Sequence, residues 1–386
     1  MRALDLGVFG ARAIPSTYSG YETFLTTLLP CLVDRGHRVT MYCRRGEVDG
    51  SGDHRGVRRV VLPALAGKQL NTLSHGVVSS LRARAAGHDV VLVVNVANAL
   101  SCALNRYTGQ PVVLNTDGQE WLRGKWGWAA QLFFRLSARA AKYGATGLVA
   151  DCAAMAGVYG EEFGARSTVI PYCFPASAAD LDPAVPARFG VQPDDYHLVA
   201  GRLNPENNID AVARAYARST SPAPLLVLGA ANYESPVKHR LEELARRDHR
   251  IRLVGHVSDR QAFLSLLAHA ATYLHGHSVG GMNPSLVEAM GAGALVAALD
   301  TVFNRETLGE AGRYFAPDCS DLGQVLDGLA ALPPDERDRR RRRAADRVRT
   351  RFAVKEVVDA YEAVLTAAAH GPVKAGLVVP TPWAEP

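Results

Sequence analysis

Short apolar segments alternate with amphipathic helical patterns along most of the chain. Residues 4–8 form the first apolar run, and residues 20–36 then repeat large apolar side chains at the three- and four-residue spacing of one helix face. Further strand-like runs occupy residues 39–43, 57–62, 90–94, 112–114, 147–150 and 168–170. Strands that alternate with helices predict a mostly parallel sheet with helices on both faces.

A proline-rich interruption at residues 171–195 divides this pattern in two. A second alternation follows, with strand-like runs at residues 197–200, 225–229, 251–254, 271–274 and 295–299. Two more helical patterns come after it, and the proline-rich tail is expected to be loosely ordered. We therefore predict an α/β protein with two doubly wound Rossmann-like domains, 1–172 and 190–352. Ligands of such sheets bind beyond the carboxyl ends of the strands, so we expect a cleft between the domains lined by those loops.

Composition narrows the class of protein without identifying it. The chain has 386 residues, of which 48% are hydrophobic and 21% charged, a balance typical of soluble globular proteins. No apolar run approaches the roughly 18 residues of a membrane-spanning helix, and no leader pattern is visible, so a cytoplasmic location is expected. The six cysteines include no C-x-x-C pair, which argues against a zinc site and favours buried free thiols.

The net charge of +5 is concentrated in an arginine-rich segment at residues 337–351. Asp335, Glu336, Asp338 and Asp346 interleave with these arginines, which favours a solvated helix face over nucleic-acid binding. Attraction to an anionic membrane surface remains an alternative, and peripheral membrane contact is therefore kept as a possible partner interaction.

The most informative stretch of the chain is residues 274–293. A loop that contains Gly280 and Gly281 runs into Asn283-Pro284-Ser285, where a helix is predicted to begin, with Glu288 one turn inside it. Free backbone N–H groups at such a helix start form an anion site, and the carboxylate can accept from a ribose hydroxyl. Diphosphate and sugar together indicate a nucleotide-sugar. The alternatives are an ordinary helix N-terminus and an exposed helical carboxylate.

Two further features extend this donor-site prediction. Arg202 follows a strand, and its planar, permanently charged side chain suits a diphosphate, the alternative being a structural ion pair. His275 and His277 have no third ligand nearby, so zinc is not expected. A neutral or cationic imidazole that hydrogen-bonds to a phosphate oxygen is one interpretation of this pair.

Loops of the first domain carry weaker signals. The gap from Gly10 to Gly20 is too long for a dinucleotide fingerprint, which argues against an NAD-dependent oxidoreductase. Gly20 lies at a helix start, where a ligand can approach the backbone, although a plain glycine cap is the alternative. Asp117 follows a strand and is suited to accept from sugar hydroxyls, unless it only forms an Asx turn. Acceptor contacts are predicted for Tyr18, Glu22 and Trp121, with a dipole role for Glu22 and helix packing for Trp121 as alternatives.

Taken together, these residues resemble glycosyltransferase family 4, whose members have the GT-B fold, and within it a bacterial subgroup associated with rhamnosyl transfer. The resemblance covers nearly the whole chain. It rests on four motifs, namely Gly-x-x-Gly-x-x-x-x-Pro-x-x-Tyr-Ser-Gly-Tyr-Glu from Gly7, Asn-Thr-Asp-Gly at 115–118, Gly-Arg-Leu-x-Pro-Glu-Asn-Asn at 201–208, and His-Gly-His-Ser-Val-Gly-Gly-x-Asn-Pro-Ser-Leu-x-Glu-Ala-Met from His275.

The resemblance implies a retaining transferase that needs no metal or other cofactor. Gly20 would lie beside the donor diphosphate, Arg202 would hold the phosphates, and Ser285 and Leu286 would offer backbone N–H groups to them. Glu288 would bind the ribose. The departing phosphate oxygen accepts the proton of the acceptor on the same face, so no protein nucleophile is required. Residues 353–386 would cross back to the first domain.

Several positions depart from the family pattern. Gly280 stands eight positions before Glu288, where the broader family has a second glutamate. Asn207 replaces the usual phosphate lysine, so Arg305, His275 or His277 is considered as a substitute for the missing charge. Asn207 itself is kept among the predicted donor-binding residues.

Two departures fall in the first half of the chain. Asp117 stands where many members have a histidine that reaches the 6-hydroxyl of the donor sugar, and Cys173 stands where the inter-domain loop usually has glycine. Loss of the histidine suits a 6-deoxy sugar such as rhamnose, carried on thymidine diphosphate. Arg202, Asp117 and Glu288 are the residues predicted to carry the reaction.

Two other functions remain open on the sequence alone. An epimerase or hydrolase of nucleotide-sugars would have the same fold, but the missing second carboxylate favours transfer. A non-catalytic sugar-binding protein of two domains is the other alternative, although such proteins are normally exported. The acceptor is expected to be a hydroxyl group of a saccharide, a lipid-linked saccharide or a small molecule.

Overall fold

The structure is a computed structural model that describes residues 2–15, 20–65, 70–124, 126–174, 181–229 and 235–384. Its chain divides into two compact units. The first comprises Met1–Leu122, Trp126–Cys173 and Val354–Pro386, and the second comprises Arg123–Lys125 and Phe174–Ala353.

An eight-stranded sheet forms the centre of the first unit. Its strands are β1 (Asp5–Phe9), β2 (Arg38–Arg44), β3 (Gly52–His54), β4 (Val57–Leu62), β5 (Val90–Val94), β6 (Val112–Asn115), β7 (Gly147–Ala150) and β8 (Thr168–Val169). They lie in the order β3-β4-β2-β1-β5-β6-β7-β8, and only the edge pair β3–β4 is antiparallel. All five residues of β5 are buried, as expected for a parallel strand covered on both faces. Its helices are α1 (Gly20–Asp34), α2 (Leu70–Ala86), α3 (Ala99–Tyr107), α4 (Trp128–Gly144) and α5 (Ala153–Phe163).

The second unit repeats this architecture with a six-stranded parallel sheet. Its strands are β9 (His197–Ala200), β10 (Leu225–Leu228), β11 (Ile251–Gly255), β12 (Thr272–His275), β13 (Val296–Leu299) and β14 (Arg313–Phe315), in the order β11-β10-β9-β12-β13-β14. Helices α6 (Ile209–Ala217), α7 (Pro236–Arg247), α8 (Arg260–Ala268), α9 (Pro284–Gly291), α10 (Val302–Leu308), α11 (Leu322–Ala330) and α12 (Pro334–Arg351) connect and flank these strands. The prediction of two α/β domains with parallel sheets is confirmed.

The last helix, α13 (Val354–His370), belongs to the first unit. The Asn115 amide donates to the Tyr361 hydroxyl across 2.7 Å, and the Glu362 carboxylate pairs with Arg35 at 2.6 Å and contacts His37 at 3.1 Å. The centroid of the Tyr361 ring lies 5.4 Å from that of Phe24, and the Phe24 ring in turn lies 5.1 Å from Tyr172. The C-terminal helix therefore crosses back to the first domain, as the resemblance implies.

The expectation of a loosely ordered tail is wrong for the described residues. Leu377 bridges to Gly147 in parallel orientation, and the Thr381 hydroxyl donates to the Val169 carbonyl across 2.6 Å. The Trp383 side chain is buried. Backbone hydrogen bonds to the edge of the sheet thus order a segment whose proline content suggested otherwise.

The described residues contain no helix that is both long and apolar enough to cross a membrane. All six cysteines are free thiols, five of them buried and Cys31 partly so.

Candidate active site

Two loops of the second unit lie side by side because the strands that precede them are neighbours. β9 pairs with β12 in parallel, so residues 201–208 and 276–283 leave the same edge of the sheet. The Asn208 amide donates to the Gly276 carbonyl across 2.9 Å, and the Ser278 N–H donates to the Glu206 carbonyl across 3.0 Å. These cross-links hold the two predicted donor loops in one position.

Close packing between these loops requires glycine at one point in particular. A Cβ atom on Gly276 would lie 2.7 Å from the Asn207 carbonyl oxygen and 3.1 Å from the Val212 side chain. Because those neighbours are backbone and buried aliphatic atoms, no other residue fits without moving a loop. The glycine after β12 therefore sets the separation of the two loops.

Arg202 presents its guanidinium to solvent at the end of β9. Its side chain is exposed and makes no ion pair with any residue in the described ranges. The structural ion pair considered from the sequence is thus not formed with those residues. A permanently charged group left without a protein counter-ion is available to an anionic ligand.

Asn207 does not present a group to solvent in the way a phosphate lysine would. Its side chain is buried, and its amide donates to the Arg202 carbonyl oxygen across 2.7 Å. The residue thus fixes the backbone from which the guanidinium projects.

The start of α9 is capped from within the chain. The Asn283 carboxamide oxygen accepts from the Ser285 N–H at 3.1 Å and from the Ser285 hydroxyl at 2.8 Å, while Pro284 occupies the first helical position. The Leu286 N–H donates to the Asn283 carbonyl across 3.1 Å. Both N–H groups expected to face the diphosphate are therefore engaged within the first turn, and a phosphate would have to displace the Asn283 side chain or share these donors.

Glu288 differs from the exposed helical carboxylate considered as an alternative. Its side chain is only 13% exposed, and its carboxylate lies 3.0 Å from the Arg260 guanidinium. Burial raises the pKa of Glu288, and Arg260 acts against that rise. Both side chains line a small pocket whose other walls include Phe174, Leu264 and Val287. A largely buried carboxylate at the wall of a pocket is suited to accept from a ligand hydroxyl.

The rings of His275 and His277 stack on each other, with His275 fully buried and His277 partly exposed. The rings of His275 and His277 lie 4.5 Å apart at an interplanar angle of 14°. Burial lowers the pKa of His275 to about 3 and that of His277 well below its usual value, with the nearby Arg202 adding to the latter effect. Both imidazoles are therefore neutral at pH 7. No group of three histidine, cysteine or carboxylate ligands occurs among the described residues.

Of the three substitutes considered for the missing lysine, only His277 keeps access to the site. The His275 side chain is fully buried, and its Nδ1 lies 3.3 Å from the Tyr273 hydroxyl. Arg305 forms a two-point pair with Asp300, at 2.5 and 2.6 Å, and lies over the Tyr314 ring. His277 is partly exposed at the loop surface and lies beside Gly201. A Cβ atom placed on Gly201 would lie 3.3 Å from the His277 Cε1 atom.

Asp117 occupies a tight turn at the end of β6 in the first unit. Its backbone is left-handed, with φ of 55°, and its N–H donates to the Asn115 carboxamide oxygen across 2.9 Å. The Asx turn expected as an alternative is thus present, but Asn115 makes it. The Asp117 carboxylate accepts from the Tyr172 hydroxyl across 3.3 Å and is partly exposed.

The structure gives less support to the three residues predicted to contact the acceptor. Trp121 is buried and packs edge-on against Tyr159 and Phe163, which supports helix packing, the alternative considered for this residue. Glu22 is also fully buried, and its carboxylate accepts from the Arg12 N–H across 3.0 Å. Tyr18 lies outside the described residues. α1 begins at Gly20, whose surroundings are likewise not described.

Three residues that the sequence did not indicate organise the site. Arg260 pairs with Glu288, and Tyr273 contacts His275. The Asn304 amide donates to the carbonyls of His277 at 3.1 Å and Leu299 at 2.8 Å, which anchors the histidine loop to the next strand. Asn304 lies three positions after the helix cap Thr301, inside α10, and the nearby end of β13 at Leu299 was the one available signal.

Both halves of the chain match known protein families. Residues 19–173 match the family model described as a glycosyl transferase 4-like domain, and residues 188–349 match that of the glycosyl transferases group 1. A 161-residue segment is 27% identical to O-antigen chain mannosyltransferase B of Escherichia coli. The match spans 40% of this chain and 42% of that protein.

Solved structures resemble the fold over nearly the whole chain. Sucrose-phosphate synthase from Thermosynechococcus elongatus superimposes with a TM-score of 0.80 at 16% identity, covering 94% of this chain and all of that one. HepE of Anabaena, solved in complex with UDP, superimposes with a TM-score of 0.73 at 16% identity, covering 95% of this chain and all of that one. With two successive domain models matched and two Rossmann-like sheets of the GT-B type, the chain belongs to the GT-B glycosyltransferases of family 4.

Proposed function

We propose that this glycosyltransferase moves a sugar from a nucleoside diphosphate to a hydroxyl acceptor with retention of configuration and without a metal ion. The observation that carries the proposal is the exposed Arg202 guanidinium, which has no ion-pair partner among the described residues and lies beside His277 on cross-linked loops. The similar HepE has been solved in complex with UDP and with UDP-glucose, which supports a nucleotide-sugar as the donor class.

Departure of the diphosphate is the step that the second unit assists. Charge accumulates on the phosphate oxygen as the glycosidic bond breaks, and Arg202 is placed to bind it with two parallel N–H donors. The α9 N-terminus supplies the positive end of a helix dipole to the same anion. His277, a neutral imidazole, donates one further hydrogen bond without adding charge.

The ribose of the donor is assigned to Glu288. Its carboxylate already accepts from Arg260 at 3.0 Å and keeps further lone pairs toward the pocket that both residues line. Binding the nucleoside here brings the diphosphate to the start of α9, since Glu288 lies one turn inside that helix.

Retention follows from the route of the proton. The departing phosphate oxygen accepts the proton of the incoming hydroxyl on the same face of the sugar, so the acceptor enters where the diphosphate leaves. Asp117 then binds sugar hydroxyls instead of acting as a nucleophile. Its turn orients the carboxylate through Asn115 and Tyr172.

For the donor sugar we propose a 6-deoxyhexose such as rhamnose, carried on thymidine diphosphate. Asp117 replaces a histidine that, in similar enzymes, reaches the 6-hydroxyl, and a sugar without that hydroxyl loses nothing by the exchange. The acceptor is proposed to be a hydroxyl of a saccharide, free or lipid-linked, or of a small molecule.

A panel of nucleotide-sugar donors tests the proposed donor sugar and the proposed retaining, metal-independent transfer. The enzyme is incubated with thymidine, uridine and guanosine diphosphate sugars, a mixture of saccharide acceptors and a chelator, and the products are analysed by mass spectrometry and NMR. We expect transfer from thymidine diphosphate rhamnose, an unchanged anomeric configuration and no loss of rate with the chelator. Turnover with UDP-glucose alone would refute the 6-deoxy donor, and an inverted product would refute retention. Sugar release or epimerisation without an acceptor would favour a hydrolase or an epimerase.

A further inference from the structure

Three neighbouring helices of the first unit share an outer surface. α3 packs between α2 and α4, and small residues allow close approach on both sides. A Cβ on Gly144 of α4 would lie 2.7 Å from the Ala99 carbonyl, and the Ser80 hydroxyl of α2 donates to the Ser101 carbonyl across 2.8 Å. The three helices therefore form one rigid layer.

The outward side of this layer is apolar, in contrast to the usual polar outer face of a helix. Leucines or valines recur four positions apart on each helix, and all are at least 43% exposed. We call these residues the apolar face, and they are Val77, Leu81, Leu100, Leu104, Leu132 and Leu136. Exposed apolar side chains that recur on three neighbouring helices are typical of an interaction site.

Aromatic side chains with polar atoms lie around the apolar face. Trp128 is 79% exposed one turn before Leu132, and Tyr107 is 75% exposed one turn after Leu104. The Arg106 guanidinium lies 5.5 Å from the centroid of the Tyr107 ring, and the Lys142 ammonium lies 5.6 Å from that of Tyr143. Tryptophan, tyrosine and snorkelling cations are typical of protein surfaces at the boundary between lipid and water.

Charge on the three helices has one sign. Their sequences contain six lysines and arginines and no aspartate or glutamate. Arg82, Arg84 and Arg139 are exposed and have no ion-pair partner among the described residues, while Arg135 lies 3.7 Å from Glu162 of the next helix. The apolar face is thus bordered by unneutralised positive charge.

The arginine-rich helix α12, considered from the sequence as a membrane contact, contrasts with this layer. Arg339 and Arg340 pair with Glu336, Arg343 pairs with Glu310, and Arg349 pairs with Asp346. Five of its nine arginines, Arg341 with Asp194 among them, form ion pairs with residues that the structure describes, so α12 is richer in ion pairs than the layer and has the character of a solvated helix face.

We propose that the apolar face of α2, α3 and α4 docks on an anionic lipid bilayer. Leucines enter the boundary between head groups and acyl chains, the aromatic rim lies at the head groups, and the arginines attract anionic phosphates. A second copy of the chain is disfavoured as the occupant, since a two-fold interface would set the unneutralised arginines of both copies against one another. The inference is independent of the donor-site proposal.

Co-sedimentation with vesicles tests the docking without any turnover. The full chain is mixed with vesicles of phosphatidylcholine alone and with vesicles that also contain phosphatidylglycerol, at low and high salt. We expect strong binding only to the second kind, weakened by salt. The Leu132→Ser/Leu136→Ser variant should bind roughly tenfold or more weakly, and the Arg82→Gln/Arg84→Gln/Arg139→Gln variant should lose about fivefold per cation.

Two control variants test whether the loss of exposed apolar side chains or of arginines elsewhere in the protein also weakens vesicle binding. The Leu253→Ser/Val302→Ser variant removes two exposed apolar side chains of the second unit, and Arg339→Gln/Arg343→Gln/Arg349→Gln removes three charges from α12. Both should bind as the wild type does, and circular dichroism should show every variant folded. Absence of wild-type binding to either vesicle, or an equal loss in the α12 variant, would overturn the proposal. A wild-type dimer that the Leu132→Ser/Leu136→Ser variant dissociates would overturn it in favour of a self-interface.

Discussion

The side-chain amide of Asn207 holds the carbonyl oxygen of Arg202 at 2.7 Å. The position where similar enzymes carry a phosphate lysine is thus used here to fix the backbone of the neighbouring arginine. Because Asn207 is buried, a lysine placed there would lose this hydrogen bond and would have to bring its ammonium out to solvent. In the proposed donor site, the Asn207 amide thus holds the backbone of the arginine that we expect to bind the diphosphate.

Arg202→Ala should weaken donor binding and slow turnover. Loss of a charge-assisted contact to the diphosphate costs about 1.5–3 kcal/mol, which is roughly tenfold or more in the donor Kd. Calorimetry with the nucleoside diphosphate and steady-state kinetics measure the two effects. Arg305→Ala is the matched control, since Arg305 is in the same unit but pairs with Asp300. Equal losses in the two variants would remove Arg202 from the site.

Donor binding should weaken at acid pH through Glu288. Burial raises the pKa of this carboxyl above its usual 4.5, so it takes up a proton, and loses acceptor capacity for the ribose, at a higher pH than an ordinary glutamate does. Glu288→Gln should bind the donor more weakly at every pH. Its donor Kd should also lack the change with pH that protonation of the Glu288 carboxyl causes. Arg260→Gln removes the cation that opposes the rise and should shift the weakening to higher pH. Titrations of the donor Kd against pH give the profiles, and Arg247→Gln, on the exposed side of α7, should leave them unchanged.

Stability of the second unit should fall between about pH 6.5 and pH 3 because of His275. The folded-state pKa of about 3 lies below the unfolded value, so the unfolded chain binds the proton first and acid favours unfolding, by at most about 1.4 kcal/mol per pH unit for this histidine. Buried His197, with a pKa of about 4, acts in the same direction. Urea unfolding of His275→Leu should show a smaller loss of midpoint on acidification than the wild type. Parallel pH profiles of the two proteins would contradict the assignment.

Asp117→His should shift donor preference toward sugars that carry a 6-hydroxyl. The left-handed backbone at this position tolerates aspartate, asparagine and histidine better than most residues, so the exchange should fold. Competition between thymidine diphosphate rhamnose and thymidine diphosphate glucose measures the ratio of kcat/KM values. Asp117→Asn, which keeps the shape without the imidazole, is the control and should not produce the shift. An unchanged ratio in Asp117→His would separate this position from the donor sugar.

The architecture was predictable because buried parallel strands leave continuous apolar runs such as Val90–Val94. The neighbouring positions of Arg202 and the histidine loop were predictable too, since both follow strand ends. Contacts that depend on tertiary packing could not be predicted. Arg260 pairs with Glu288 from another helix, and the Trp121 ring is buried in the core. A hydrophobic pattern shows which residues are apolar, but it does not show which side chains contact one another. In sequence, a short row of exposed leucines also looks the same as a row of buried ones.

Helix α13 has a consequence for how the protein is made. The sheet of the first unit is encoded before residue 174, yet the helix that contacts Asn115 and His37 leaves the ribosome only after the whole second unit has been synthesised. Until then the ring of Phe24 lacks its contact with the Tyr361 ring of α13. Biogenesis of this enzyme therefore includes a long interval in which its first half is unfinished and open to chaperones or aggregation.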